Sequence, residues 1–386
     1  MDFNELIDRR HTHSLKWDML EPLYGVSPDN GIPMWVADMD FRPPQAVNES
    51  LARAVAHGVH GYFGDETAHK AAIIGWMQQR HGWSVDPEWI MTVHGLVAGT
   101  ALCLQAFTDP GDGVILFTPV YHAFARIIHA NRRDVVESRL VNHNGRYEMD
   151  LDTLAAQLRG HEKMVILCSP HNPGGRVWSE QELKQLADFC IAHDLLLVSD
   201  EIHHDLVYPG HRHRPMALAD TAIRNRLATL TSTTKTFNIA GGLTGNVIIE
   251  DPALLARFKV AHQASGTSPN RFGVLMATAA YRQGEAWLEA LIPYLDANRR
   301  LFDAGLHTLS GFRSMDMAST YLAWVDCAGT GLTPEQVQEK VQQEAGIAAS
   351  HGATFGSGGE NFLRFNFATP RSRVEEAVRR LQRVFG

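Results

Sequence analysis

Five short apolar runs recur between about residues 90 and 260: VILFT (114–118), MVILCS (164–169), LLLVSDE (195–201), LATLT (227–231) and NVIIE (246–250). Their apolar residues are continuous rather than alternating, as a strand covered on both faces requires. Amphipathic segments separate them. Ser179 and Glu182 make a capping box ahead of one apolar face, Leu183, Leu186, Ala187 and Cys190. Asp251 followed by Pro252 opens another helix. This succession predicts an α/β fold, with a mostly parallel sheet and helices on both faces.

The last hundred residues differ. A helical stretch from about Glu285 to Leu309, interrupted by Pro293, leads to the strand-like STYLAWVD, to a helix opened by Thr333 and Pro334, to FLRFNFA, and to a final amphipathic helix from Ser372. Few strands with helices on one side predict a smaller α+β C-terminal domain. Residues 1–45 read as an arm joining that smaller domain, 46–285 as the large domain and 286–386 as the small one. The 386 residues suffice for two such cores.

A formal net charge of −8 argues against nucleic acid or an anionic membrane as the main partner. No apolar run approaches the roughly 20 residues that span a bilayer, and the first residues lack a signal-peptide core. Cys103, Cys168, Cys190 and Cys327 have no CxxC spacing and read as reduced core residues, so the expected location is the cytoplasm. Of the 20 histidines, those in HTH, IHH and HRHR lack a zinc spacing with a matching second half, and no metal is expected.

In open α/β sheets, ligands bind outside the carboxyl ends of the strands. Lys235 follows LATLTSTT, Asp200 ends LLLVSD, Asn172 follows MVILCSPH and Tyr121 follows VILFTPV. Each has a structural alternative: a solvated charge, a helix cap, a turn before proline, a packed ring. All four at successive strand ends suit a pyridine aldehyde. The lysine amine forms a Schiff base, the carboxylate keeps the ring nitrogen protonated, the amide holds the phenolic oxygen and the tyrosine stacks. Ser232, Thr234 and the turn Gly95, Leu96, Val97, which opens a helix, offer donors for a phosphate. Arg364 alternates with Leu363 and Phe365 and can grip a substrate carboxylate.

The stretches MWVADMDF, HGYFG, TPVYHAF, RYEMDLDTL, CSPHNPGGRVW, SDEIHHDL, TKTFNIAG, STYLAWVD and FGSGGENFLRFNFATPR carry a resemblance over nearly the whole chain. The chain resembles the pyridoxal-phosphate enzymes of fold type I, in the class I/II aminotransferase group, and more narrowly the MalY/PatB-type cystathionine β-lyase (C–S lyase) branch. The resemblance implies pyridoxal 5'-phosphate as cofactor, with Lys235 carrying the Schiff base and Asp200 partnering the ring nitrogen. It implies Asn172 on the phenolic oxygen, Tyr121 stacking, Gly95, Leu96, Val97, Ser232 and Thr234 around the phosphate, and Arg364 on the carboxylate of an amino-acid substrate. His203 stands where many aminotransferases place a tyrosine on the phenolic oxygen. Tyr62 matches a tyrosine that reaches the neighbouring subunit's phosphate, which implies a homodimer with shared active sites. Trp35, His122, Ala123 and the loop in the 350s fall where substrate specificity is decided, Tyr121 and Asn172 also facing the substrate.

Two departures stand out. Leu243, eight residues after the lysine, replaces an arginine that many aminotransferases use for the phosphate, and His122 with Ala123 replaces prolines common in the branch. The expected activity is β-elimination of a thiol from an L-cysteine-type amino acid to pyruvate and ammonia. An aminotransferase, or a regulatory protein on the same scaffold, are the alternatives.

Overall fold

The computed structural model describes residues 1–386. Seven strands form the larger sheet: β1 Ile90–Val93, β2 Gly113–Thr118, β3 Asp134–Arg139, β4 Glu162–Cys168, β5 Leu196–Asp200, β6 Leu227–Thr231 and β7 Gly245–Ile248. Their spatial order is β1-β7-β6-β5-β4-β2-β3. The five strands from β6 to β3 pair in parallel. Cys168 pairs with Asp200 and Asp200 with Leu230, so the carboxyl ends of three strands finish level. A site built there draws on several connections at once.

NVIIE departs from the expected parallel arrangement, because β7 runs antiparallel to both β6 and β1. The connection from β6 holds only a one-turn helix, Thr233–Thr236, and a short 3-10 turn, Ala240–Gly242. A parallel return needs a crossover element long enough to pack on the sheet, and none is present. Gly245 opens β7 against Leu96, where an added Cβ would lie 2.4 Å from Leu96 Cδ2. That close approach seats the helix Leu96–Phe107 on the sheet.

The capping box at Ser179 and Glu182 forms and starts the helix Glu180–Ala192, and Asp251 caps Pro252–Ala264. The helices Leu96–Phe107, Ala123–Ala130 and Pro252–Ala264 cover one sheet face with Leu104, Phe124, Ile128 and Phe258. Leu183, Leu186 and Cys190 join the core on the other face. Glu285–Leu306 is one continuous helix despite Pro293. Pro293 and Glu289, whose carbonyl loses its partner, both face solvent, while Leu288, Leu291, Leu295 and Phe302 stay buried. The freed carbonyl lies on the solvent side, where water can reach it, and the buried face holds the helix together.

The smaller sheet has five strands rather than few. Its order is Ile32–Met34, Ile347–His351, Phe362–Asn366, Leu322–Asp326 and Arg313–Ser314. Ile32–Met34 pairs in parallel with Ile347–His351, so the chain's beginning adds an edge to a sheet built from its end. No helix is long and apolar enough to cross a membrane.

Candidate active site

Lys235 lies on the one-turn helix Thr233–Thr236, whose N-cap Ser232 accepts the Thr234 N–H. Its Nζ donates to the carbonyl of Ala37 at 2.6 Å, and the buried Tyr321 hydroxyl donates to the same oxygen at 3.2 Å. Burial lowers the Lys235 ammonium to about 8, with Asp38 and Asp200 opposing and Arg364 adding to the effect.

The Ala37 carbonyl is aimed by a lacework along residues 35–41. Arg364 Nη2 donates to Trp35 O (2.8 Å), and Asn366 Nδ2 to Val36 O (2.7 Å) and Asp38 O (2.8 Å). Asn238 Nδ2 donates to Met39 O and Phe41 O, while its Oδ1 accepts from Met39 N. Lys16, wholly buried, donates to Asp38 O and to Asp40 Oδ2 at 2.9 Å. Burial would raise the Asp40 carboxyl, but Lys16, Trp17 and Arg9 outweigh it and hold it at about 2. Asp40→Ala would strand the Lys16 ammonium without its partner. The expected loss is about 3–5 kcal/mol of unfolding free energy, read by urea denaturation. A loss below about 1 kcal/mol would mean that the pair is not what fixes this segment.

Asp200 is buried at the end of β5. Its carboxylate makes one hydrogen bond, from Ile202 N at 3.1 Å. Burial raises it to about 7, with Glu201 adding to the rise and the Ile202 N–H, Lys235 and His204 opposing. Asn172 Oδ1 accepts from Arg364 Nη1 at 2.9 Å, which leaves the amide's two N–H donors unpartnered. Tyr121 N donates to Asn172 O at 3.1 Å, fixing the two loops together. Arg364 also donates to Ser350 Oγ at 3.2 Å, lies 4.8 Å from the Phe355 ring centre, and keeps Nε buried without a partner. Burial brings its guanidinium down to about 10, opposed by Tyr121, Tyr24 and Tyr321. The His203 ring is buried with Nδ1 unpartnered. Burial, reinforced by Lys235, Arg364 and His204, lowers it to about 3, so it is neutral.

Gly95 has φ +85° at the head of Leu96–Phe107, and an added Cβ there would meet nothing within 4 Å. The Leu96 side chain is buried in the core, so this turn offers backbone N–H groups rather than side chains. Ser232 Oγ and Thr234 Oγ1 lie 2.8 Å apart, with Ser232 donating to Thr244 O. The structure thus gathers Lys235, Asp200, Asn172, Tyr121, His203 and Arg364 at one end of the sheet, linked by the bonds and mutual charges described. It does not bring Tyr62 to them within one chain, because that side chain is fully exposed. Trp35 contributes its carbonyl to Arg364, while its indole donates to Lys16 O and packs 5.2 Å from Tyr24. His122 packs between Tyr121 (5.0 Å) and Phe355 (5.7 Å), and Ala123 is buried beside it. Sequence reasoning missed Ala37 and Tyr321, and reached Ser350 and Phe355 only as part of the loop in the 350s.

These residues fit a pyridoxal phosphate. A nearly bare buried carboxylate, two free amide donors, a neutral unpartnered imidazole and an open backbone cradle are groups that a polar ligand would satisfy. The lysine's depressed titration suits capture of an aldehyde.

Comparisons with known proteins point to the same cofactor. Residues 30–381 match the family model described as aminotransferase class I and II. The chain is 37% identical over 385 residues to cystathionine beta-lyase PatB of Bacillus subtilis (strain 168), covering 99% of each chain. It is 32% identical to protein MalY of Escherichia coli (strain K12), covering 98% of this chain and 97% of that one. The crystal structure of cystalysin from Treponema denticola, which contains a pyridoxal 5'-phosphate cofactor, superposes with a TM-score of 0.95 at 33% identity. That match covers 99% of this chain and 98% of that one.

Proposed function

We propose, for a chain that belongs to the class I and II aminotransferase family and to its MalY/PatB branch, that it is a pyridoxal-phosphate-dependent carbon–sulfur lyase. The observation that carries the reading is the half-buried Lys235 amine, set among Asp200, Asn172, Tyr121 and Arg364 at the strand ends. Two points favour a lyase over a transaminase. PatB is named a cystathionine beta-lyase. Leu243, the residue standing where many aminotransferases carry a phosphate-binding arginine, is half exposed and aliphatic.

Pyridoxal phosphate, when bound, supplies a pyridinium that withdraws electrons from the substrate's α-carbon. Asp200 would keep the ring nitrogen protonated, Asn172 would donate to the phenolic oxygen, and Tyr121 would pack on the ring. His203, neutral and unpartnered, would add a donor or acceptor beside them. The Gly95–Leu96–Val97 amides, Ser232 and Thr234 would hold the phosphate, and Tyr62 would do so from a second copy. The exposure of Tyr62, Val55 and Val59, each more than three-fifths exposed in the single chain, supports such a homodimer. Arg364 binds the substrate carboxylate, and Trp35 shapes the pocket by fixing that arginine. Lys235 Nζ anchors the cofactor, then takes the α-proton from the substrate. The C–S bond at the β-carbon breaks with its electron pair on sulfur. Overall, an S-substituted L-cysteine and one water give pyruvate, ammonia and a thiol. Four free buried cysteines accord with a cytoplasmic enzyme.

Purified protein carrying the cofactor, given cystathionine or cystine, is expected to release pyruvate with no keto acid present. Turnover that requires an added 2-oxo acid would replace this reading with transamination. A yellow protein inert to both would point to a regulatory use of the scaffold.

A further inference from the structure

Behind Asp200 lies a second polar cluster that the site described above does not use. After β5 the chain reads Asp200, Glu201, Ile202, His203, His204, Asp205, and the side chains of Glu201, His204 and Asp205 are all buried. Glu201 accepts from Ser199 Oγ (2.9 Å) and Met216 N (2.9 Å), and lies 2.8 Å from His213 Nε2. Asp205 accepts from Trp76 Nε1 (3.1 Å) and Thr236 Oγ1 (2.9 Å), and lies 2.9 Å from His81 Nε2. Thr236 is the residue next to Lys235, so Asp205 ties the lysine's turn to the turn that carries Asp200.

His204 stands between the two carboxylates. Its Nε2 is 3.2 Å from Asp205 Oδ2, an ion-pair distance without the alignment of a hydrogen bond; its ring centre is 4.5 Å from that of His81, and donor atoms of His204, Glu201 and His213 lie within 4.8 Å of one another. Three buried carboxylates in six residues have no arginine among them. Lys235 faces Asp200 from the cofactor side, and from the other side the cluster must supply its own cation. His81 and His203 do not, since burial lowers them to about 4 and about 3, and His213 is engaged with Glu201 through Nε2 at 2.8 Å. For His204 burial acts the same way, but Asp205, Glu201 and Asp200 outweigh it and raise it.

We infer that His204 is a positioning residue for Asp200, an imidazolium buried between Asp205 and Glu201 whose charge keeps the cofactor-facing carboxylate ionised. The inference rests on the cofactor role proposed for Asp200. The groups facing that carboxylate are Glu201 and His204 on its own turn, Lys235 on the next connection, Tyr121 beyond β2 and the Cys168 thiol on β4. Of these, Lys235 and His204 are the two side chains that favour its ionised form. Every oxygen of Glu201 and Asp205 already has an N–H or O–H partner, so the array reads as one that shares protons rather than one that holds a metal ion.

The test uses the full-length chain, with and without pyridoxal phosphate, as wild type, His204→Ala and His204→Gln. Carbon-13 NMR of aspartate-labelled protein, assigned with Asp200→Asn, follows the Asp200 carboxyl. Its titration is expected to move upward by about one pH unit in both variants, the usual size for one lost neighbouring charge. The acid limit of the cofactor's visible band moves with it. In the wild type, the His204 ring is expected to stay protonated through pH 7 by nitrogen-15 NMR. A role in packing alone would lower the melting temperature of the variants and leave the Asp200 titration in place. That result would overturn the inference, as would a neutral His204 in the wild type or one equivalent of tightly bound zinc. Should neither variant fold, the wild-type His204 titration decides. A wild type that binds no cofactor would sink the cofactor reading instead, while the NMR titrations would still report on His204.

Discussion

Lys235→Ala is expected to abolish covalent capture of pyridoxal phosphate and to reduce turnover by at least the roughly 10²–10⁴-fold that proton transfer alone contributes. Borohydride treatment followed by peptide mapping should then find the pyridoxyl adduct on Lys235 in the wild type and on no residue in the variant. The effect is large because no second amine stands in. The one wholly buried lysine, Lys16, is committed to Asp40 and the Asp38 carbonyl. The pH dependence has a definite sign. Only the neutral amine attacks an aldehyde, and burial brings Lys235 down to about 8. Adduct formation should therefore be near its maximum above pH 8 and fall roughly tenfold per unit below it. A variant with normal turnover, or an adduct on another lysine, would remove the basis of the proposed function.

Arg364→Ala should raise the KM for amino-acid substrates by roughly 30-fold to several thousandfold, the equivalent of about 2–5 kcal/mol for truncating one partner of a buried charge pair. Cofactor affinity should fall far less. It should still fall, because Arg364 Nη1 holds Asn172 Oδ1 and so turns that amide's donors outward. One lost hydrogen bond of this kind corresponds to about 1 kcal/mol, roughly fivefold. Arg364→Lys keeps the charge but loses the fork that engages Asn172, Trp35 and Ser350 together, and should resemble the alanine variant in KM. Steady-state kinetics and cofactor titration separate the outcomes. Equal losses of substrate and cofactor would make Arg364 a structural residue.

The large sheet was legible because strands covered on both faces leave continuous apolar runs, and the site was legible because its side chains follow those runs directly. Lys235, Asp200, Asn172 and Tyr121 each sit within four residues of a strand's end. What stayed hidden has no side-chain signature or depends on pairing. The Ala37 carbonyl is backbone, so nothing in the letter at position 37 announces that an amine will point at it. Tyr321 sits just ahead of the apolar strand Leu322–Asp326 and reads as packing. The direction of β7 was set by the absence of a crossover helix, not by its own residues. His81, His204 and His213 meet although they lie up to 132 positions apart, which no ligand-spacing rule can see.

The backbone on either side of the carbonyl that receives the reactive amine is held by side chains at positions 238, 364 and 366. During synthesis the first forty residues leave the ribosome long before the last two of these, so a growing chain carries its lysine without the surroundings that depress its titration. The amine's lowered titration therefore depends on residues made near the end of synthesis, and a chain cut short before position 364 should hold that lysine near its ordinary value.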